Sequence, residues 1–154
     1  MAYLVDTSIL VRLANRADVQ HAIAAQTMLE LHDLGDVLHV TPQNLIEFRN
    51  VATRPVKNNG LGLSLAAADT HAADFEATLP LLIDTPAIFP QWKSIVQSLG
   101  IIGKQVHDAR LVAVCHVHGV KKLLTFNAAH FSALAKYAPG LTIVDPADIC
   151  QRLP

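Results

Sequence analysis

The chain reads as an α/β protein built on a mostly parallel sheet. Two observations predict this: five short apolar runs (3–6, 37–40, 81–84, 123–126 and 141–144) have strand length, and the longer segments between them repeat apolar residues at helical spacing. Strands that alternate with helices pair in parallel, because such pairs need crossover connections, and right-handed crossovers put helices on both faces of the sheet. A third observation sets the scale. With 154 residues, 51% of them hydrophobic and 16% charged, there is core enough for one globular domain spanning 1–154.

Residues 3–6 form the first strand and turn at Asp6-Thr7-Ser8 into a short helix over 8–14. Between 19 and 34 the positions Ile23, Ala24, Thr27, Leu31 and Leu34 mark one helical face, and Gly35-Asp36 ends it before the strand at 37–40. Thr41-Pro42 is a strong helix start, with Thr41 as N-cap and Pro42 in the first turn, and Arg54-Pro55 closes that helix after Thr53. A polar, glycine-containing loop over 57–62 leads to an alanine-rich helix over 64–78. The strand at 81–84 hands over through Thr85-Pro86 to a helix that runs past Trp92 and Ile95 towards Leu99. Gly100 and Gly103 bracket a turn, a helix over 104–118 stops at Gly119, and the strands at 123–126 and 141–144 complete a five-stranded sheet.

Composition excludes several classes of function. The apolar stretches are broken well short of the roughly 18 residues of a membrane span, and no basic segment precedes the first of them, so a cytoplasmic protein away from the membrane is expected. Cys115 and Cys150 have neither metal nor redox spacing and read as core fillers. A net charge of −1 leaves no global field to gather nucleic acid, so any such binding must be local. His116 and His118 point in different directions on their helix, and no paired Cys-x-x-Cys or H-E-x-x-H occurs, which removes a zinc site.

Three acids stand out by their surroundings. Asp6 ends an apolar strand, where ligands bind in open α/β sheets, although capping the next helix is a sufficient role for it. Glu47 lies among Leu45, Ile46, Phe48 and Val51, and Asp108 shares a stripe with Leu111, Val112 and Cys115. Carboxylates on apolar faces need a partner, either a nearby Arg49, Arg54 or Arg110 or a bound cation. Asp84 and Asp145 also end apolar runs, but both precede proline-containing turns, which favours a turn role.

Four segments in order carry a resemblance: Val5-Asp6-Thr7-Ser8-Ile9-Leu10, Asn44-Leu45-Ile46-Glu47-Phe48, His107-Asp108-Ala109-Arg110-Leu111-Val112-Ala113, and Leu124-Thr125-Phe126-Asn127-Ala128-Ala129-His130-Phe131. Together they resemble the motifs of PIN-domain nucleases, and within that family the VapC-type ribonuclease toxins of bacterial toxin–antitoxin pairs. The resemblance implies a three-layer α/β/α sandwich, cleavage of RNA dependent on Mg²⁺ or Mn²⁺, homodimerisation, and inhibition by a small antitoxin protein. It carries Asp6, Glu47 and Asp108 over as the catalytic, metal-binding acids. The last motif departs from the family, which often has an acid there; this chain offers Asn127 or His130.

Mg²⁺ and Mn²⁺ take oxygen ligands and Mg²⁺ keeps several waters, so three acids suffice for one ion or for two that share ligands. Ser8 or Thr7 is placed to orient a water or Asp6, and Lys104 and Arg110, with Arg12 and Arg49, to contact the phosphate backbone. A phosphotransferase with Asp6 as nucleophile would want a second acid where Ser8 stands. The remaining alternative is a PIN-like binding module without activity. Apolar surface on the helices over 19–34 and 64–78 is expected to serve a dimer or an antitoxin.

Overall fold

A computed structural model describes residues 1–150. Strands β1 (Ala2–Val5), β2 (Val37–His39), β3 (Lys122–Leu124) and β4 (Thr142–Val144) form one fully parallel sheet in the order β2-β1-β3-β4. Eight α-helices accompany them among the described residues: α1 (Thr7–Ala14), α2 (His21–Asp33), α3 (Pro42–Thr53), α4 (Leu65–Thr78), α5 (Ile88–Leu99), α6 (Gln105–His118), α7 (Ala128–Phe131) and α8 (Pro146–Cys150).

The layers follow from strand alternation, since successive side chains point to opposite faces. Tyr3 and Val5 enter a core shared with Leu10, Leu31, Phe48 and Phe75, which come from α1 to α4. Leu4 and Leu123 enter the other core, with Ile95, Val112, Cys115 and Phe131 from α5, α6 and α7. The result is the α/β/α sandwich. Phe48 meets Phe75 edge-on at 5.1 Å between ring centres, an aromatic geometry that locks α3 to α4. Burial pushes the Cys115 thiol up to about 12, so it is an inert part of the core as expected.

The sheet has four strands rather than five. Only Leu81 of the predicted strand at 81–84 bridges, to Val40, held by Leu82 N–H to the Val40 carbonyl at 2.8 Å and Val40 N–H to the Pro80 carbonyl at 3.2 Å. Pro80 has no N–H to extend the ladder, and Pro86 soon turns the chain away. The helix expected from 19 begins at His21, because the Asp18 side chain accepts from Gln20 N–H and makes a turn first. The short α7 and α8 were not anticipated. Both α3 and α4 begin as predicted: Thr41 and Asn44 form a reciprocal capping box, and the Ser64 hydroxyl accepts from Ala67 N–H.

After α3 the chain folds back tightly on itself. The Arg54 carbonyl accepts from Gly62 N–H, the Pro55 carbonyl from Gly60 N–H, and Asn59 adopts a left-handed φ of 64°. A Cβ on Gly60 would lie 1.9 Å from the Arg54 carbonyl oxygen, so the backbone itself must move to admit one. Gly60→Ala is therefore expected to cost about 1–3 kcal/mol. Asn59→Gly, which relieves a left-handed residue, should stay within about 0.5 kcal/mol of the parent. Chemical denaturation of the two variants checks the pair.

Candidate active site

Parallel strands leave their C-terminal ends on one edge, and both β1 and β3 place a polar residue just beyond theirs. Asp6 follows β1 and is 6% exposed, and Thr125 follows β3 and is fully buried. Asp6 Oδ2 accepts from Ser8 Oγ at 2.6 Å and from Thr125 Oγ1 at 2.7 Å, with Ser8 N–H at 3.4 Å. Each hydroxyl has one proton and spends it on Asp6, so the 3.3 Å approach between the two oxygens has none of its own. Their lone pairs receive Phe126 N–H and Asn127 N–H at 3.2 and 2.9 Å. Asp6 Oδ1 has no protein donor among the described residues. Capping of α1 is thus the weakest of the contacts to Asp6.

Glu47 is positioned by its neighbours on α3 and α1. Its Oε2 accepts from Thr7 Oγ1 at 2.7 Å and its Oε1 from Gln43 Nε2 at 2.8 Å. Gln43, one turn earlier, also donates to the His107 carbonyl at 2.9 Å, which ties α3 to the start of α6. Buried Asn44 donates to Thr7 Oγ1 at 3.2 Å while its Oδ1 accepts from Thr41. His107 Nδ1 stands 3.9 Å from Glu47 Oε1.

Asp108 lies in the first turn of α6, with 24% of its side chain exposed and His130 Nδ1 at 3.7 Å. Burial first, then the charge of Asp6, raises its carboxyl to about 6; Glu47 adds to the rise, and His130 and His107 oppose it. Asp6, Glu47 and Asp108 all line one cavity of about 870 Å³, together with Asn127, His130 and Lys104.

Sequence reasoning and structure part at several cations. Arg110 is not available for phosphate, since it donates to Gln43 Oε1 at 3.1 Å and to Asp84 Oδ1 at 2.7 Å. Arg49 pairs with Asp69 and lies outside the cavity. Arg12 lines the cavity but is held by Gln20 at 3.1 Å, by Asp18 at 3.9 Å and over the Phe126 ring. Exposed Lys104 lines it without an ion pair among the described residues. Thr125, Asn44, Gln43 and His107 were missed as site residues. The spacing Thr41-x-x-Asn44 signalled a cap, but nothing local showed that Asn44 reaches Thr7.

Among the described residues no three of His, Cys, Asp and Glu stand close enough to ligate one ion together. The donors nevertheless suit a hard cation that keeps most of its waters and takes one or two carboxylates. They are all carboxylate oxygens, Asp6 Oδ1 is untethered, and Asp108 bears the repulsion of two other acids.

A pH dependence follows from Asp108. Its folded-state carboxyl sits near 6 against an ordinary 3.8, so between those values the folded chain holds more proton than the unfolded one. Stability from this group is therefore greatest below about 4 and falls as pH rises to about 6. In chelator at neutral pH, Asp108→Asn should melt at or above the parent, by about 1 kcal/mol at most because the partly exposed group is screened. The advantage should vanish near pH 4, and paired thermal melts at the two pH values check it.

Comparison with solved structures returns the same fold at low identity. A chain of VapBC2 from Rickettsia felis, solved bound to a DNA fragment from its promoter, superposes with a TM-score of 0.66 at 17% identity, covering 94% of this chain and 98% of that one. VapC20 of Mycobacterium tuberculosis, a toxin that cleaves the sarcin–ricin loop, gives 0.62 at 21% identity, covering 85% and 94%. A chain of VapBC-1 from nontypeable Haemophilus influenzae gives 0.64 at 19%, covering 96% and 99%. No curated protein matches the sequence. The model of the PIN domain matches residues 3–137, which takes in all four sequence motifs and the acidic cavity, and the chain belongs to the PIN-domain family.

Proposed function

We propose that this chain is a divalent-metal-dependent endoribonuclease, the toxin of a toxin–antitoxin pair, and that Asp6, Glu47 and Asp108 are its catalytic, metal-binding acids. The observation that carries the reading is the cavity that these three carboxylates line at the C-terminal edge of the sheet. The solved neighbours include a sarcin–ricin loop cleaving toxin, which supports RNA as the proposed substrate.

Asp6 and Asp108 would hold the ion, with Glu47 reaching it directly or through water. A bound Mg²⁺ or Mn²⁺ supplies positive charge against the scissile phosphate and acidifies a water near neutral pH. The chain does the rest by fixing oxygens. Ser8 and Thr125 hold Asp6 Oδ2 so that Oδ1 keeps one direction, and Thr7 and Gln43 hold both oxygens of Glu47. Asn127 and His130 stand exposed at the mouth, one of them in the fourth position, where each can donate to substrate or water. Lys104 adds a charge for the phosphate backbone.

For partners we propose a small antitoxin and a second copy of the chain. An apolar cavity of about 540 Å³ beside the β2 edge is lined by Leu13, Met28, Leu29, Phe75 and Leu79, and Leu29 is 61% exposed. Neighbours named VapBC support an antitoxin as a partner, and this exposed apolar face is the surface proposed for it. No helix among the described residues is long and apolar enough to cross a membrane, in keeping with a cytoplasmic setting. One observation favours a second reading, a PIN-like binding module without activity: Asn127 stands where family members often carry an acid.

Purified protein incubated with structured RNA separates the two. Cleavage should require Mg²⁺ or Mn²⁺, stop in chelator, and fall by about a hundredfold or more in Asp108→Asn. Metal should stabilise the parent by about 2.7 kcal/mol at a hundredfold excess over its dissociation constant, and the variant much less. RNA bound but left intact in both metals would establish the module instead. Cleavage that survives in Asp108→Asn would remove that residue from the catalytic set.

A further inference from the structure

Arg54 is half-buried and, unlike the half-buried Arg12 and Arg110, has no acid beside it among the described residues. Its Nη2 donates to the Asn59 carbonyl at 2.9 Å, its Nε is buried with no partner, and no carboxylate pairs with it among the described residues. A guanidinium cannot lose its proton to escape this cost, and a buried donor left unpaired is destabilising. Yet the structure is built around it. The 55–62 segment folds back so that Gly62 N–H reaches the Arg54 carbonyl, Gly60 admits no Cβ against that carbonyl, and left-handed Asn59 offers its own oxygen to the side chain.

Arg54 lines the same cavity as Asp6, Glu47 and Asp108. It caps the C-terminal end of α3, and by the helix rise it lies about 10 Å along the axis from Glu47. Lys104, the other cavity cation without an acidic partner, lies on the α6 side, about 6 Å along that axis before Asp108. We propose that Arg54 is a substrate-binding residue that grips, through its free N–H groups, a backbone phosphate of single-stranded RNA next to the phosphate held over the carboxylates. A planar fork whose outer donors are open suits a phosphate oxygen pair, and the anion supplies the acidic partner that half-buried Arg54 lacks among the described residues. Lys104 then adds a second cation for the strand in the same cavity. This rests on the nuclease reading of the cavity.

The test uses the full chain carrying Asp108→Asn, so that RNA persists in Mg²⁺, and a fluorescein-labelled single-stranded oligoribonucleotide of about twelve nucleotides. Adding Arg54→Gln should weaken binding about tenfold at low salt and reduce the slope of log affinity against log salt by about 0.7, one phosphate contact on a single strand. Neutral methylphosphonate placed at each linkage in turn should identify one linkage where the parent loses affinity and the Arg54→Gln chain loses none. Arg49→Gln, which removes a pair outside the cavity, should change neither. Arg54→Lys keeps the charge without the fork; it should retain the slope and recover part of the affinity, and it keeps the comparison available if the Gln variant does not fold. Equal affinity, slope and linkage profile with and without Arg54→Gln would overturn the proposal and leave Arg54 as a clamp on its loop. Failure of the parent to bind the single-stranded oligoribonucleotide at all would overturn this proposal, whereas the nuclease reading stands or falls separately on the metal-dependent cleavage of structured RNA.

Discussion

The two hydroxyl protons that converge on Asp6 Oδ2 hold the cavity-lining edge of the sheet together. Ser8 belongs to the first turn of α1 and Thr125 to the residue after β3, so one carboxylate oxygen joins the end of the central strand, the helix that follows it, and the exit of the neighbouring strand. The strand ladder carries the same join, since Asp6 N–H donates to the Leu124 carbonyl at 2.9 Å. A carboxylate only 6% exposed would be costly without such donors, and hydrogen bonds to the charged form are what offset its burial. The clamp is also selective. By occupying one oxygen it leaves the other without a protein donor among the described residues.

The second acid depends on a device that began as a helix cap. Thr41 and Asn44 satisfy each other's polar groups at the start of α3, and the amide left over on Asn44 reaches Thr7, whose hydroxyl then donates to Glu47. Cap, α1 and Glu47 therefore form one chain of hydrogen bonds among buried and partly buried groups. Such chains strengthen their members in a low dielectric, and loss of one link exposes the rest to the penalty of an unmatched polar group. Asp108 stands apart from both networks. No donor bonds its carboxylate directly among the described residues, and its raised pKa records its burial first and then the charges of Asp6 and Glu47.

Local rules read well from the sequence wherever the deciding partner lay within a few residues. Thr41-Pro42, Ser64, Gly100 and Gly119 mark helix ends that the structure keeps, and the apolar runs around Leu4, Leu38, Leu123 and Ile143 are its four strands. The run at 81–84 misled because apolarity alone does not make a strand; Pro80 and Pro86 deprive it of the donors and direction that a ladder needs, and a single bridge remains. The three acids were legible only as a set, through the order of motifs. Thr125 carried no signal of its own, since a buried threonine after a strand is ordinary until the strand beside it is known to end in Asp6.

The cations show most clearly where sequence reading stops. Arg12, Arg49, Arg54 and Arg110 are alike in the sequence, each near apolar residues and each near an acid of the proposed set. What separates them is the company supplied by distant segments: Asp18 and Gln20 for Arg12, Asp69 for Arg49, Gln43 and Asp84 for Arg110, and only a backbone carbonyl for Arg54. Arg110 shows how far such company can redirect a residue. Placed beside Asp108 in the chain, it could pair with that acid, yet it braces Gln43, which orients Glu47, and so supports the site without facing it. A charge beside a catalytic motif is thus defined by which partners the fold leaves it, and that is a tertiary property.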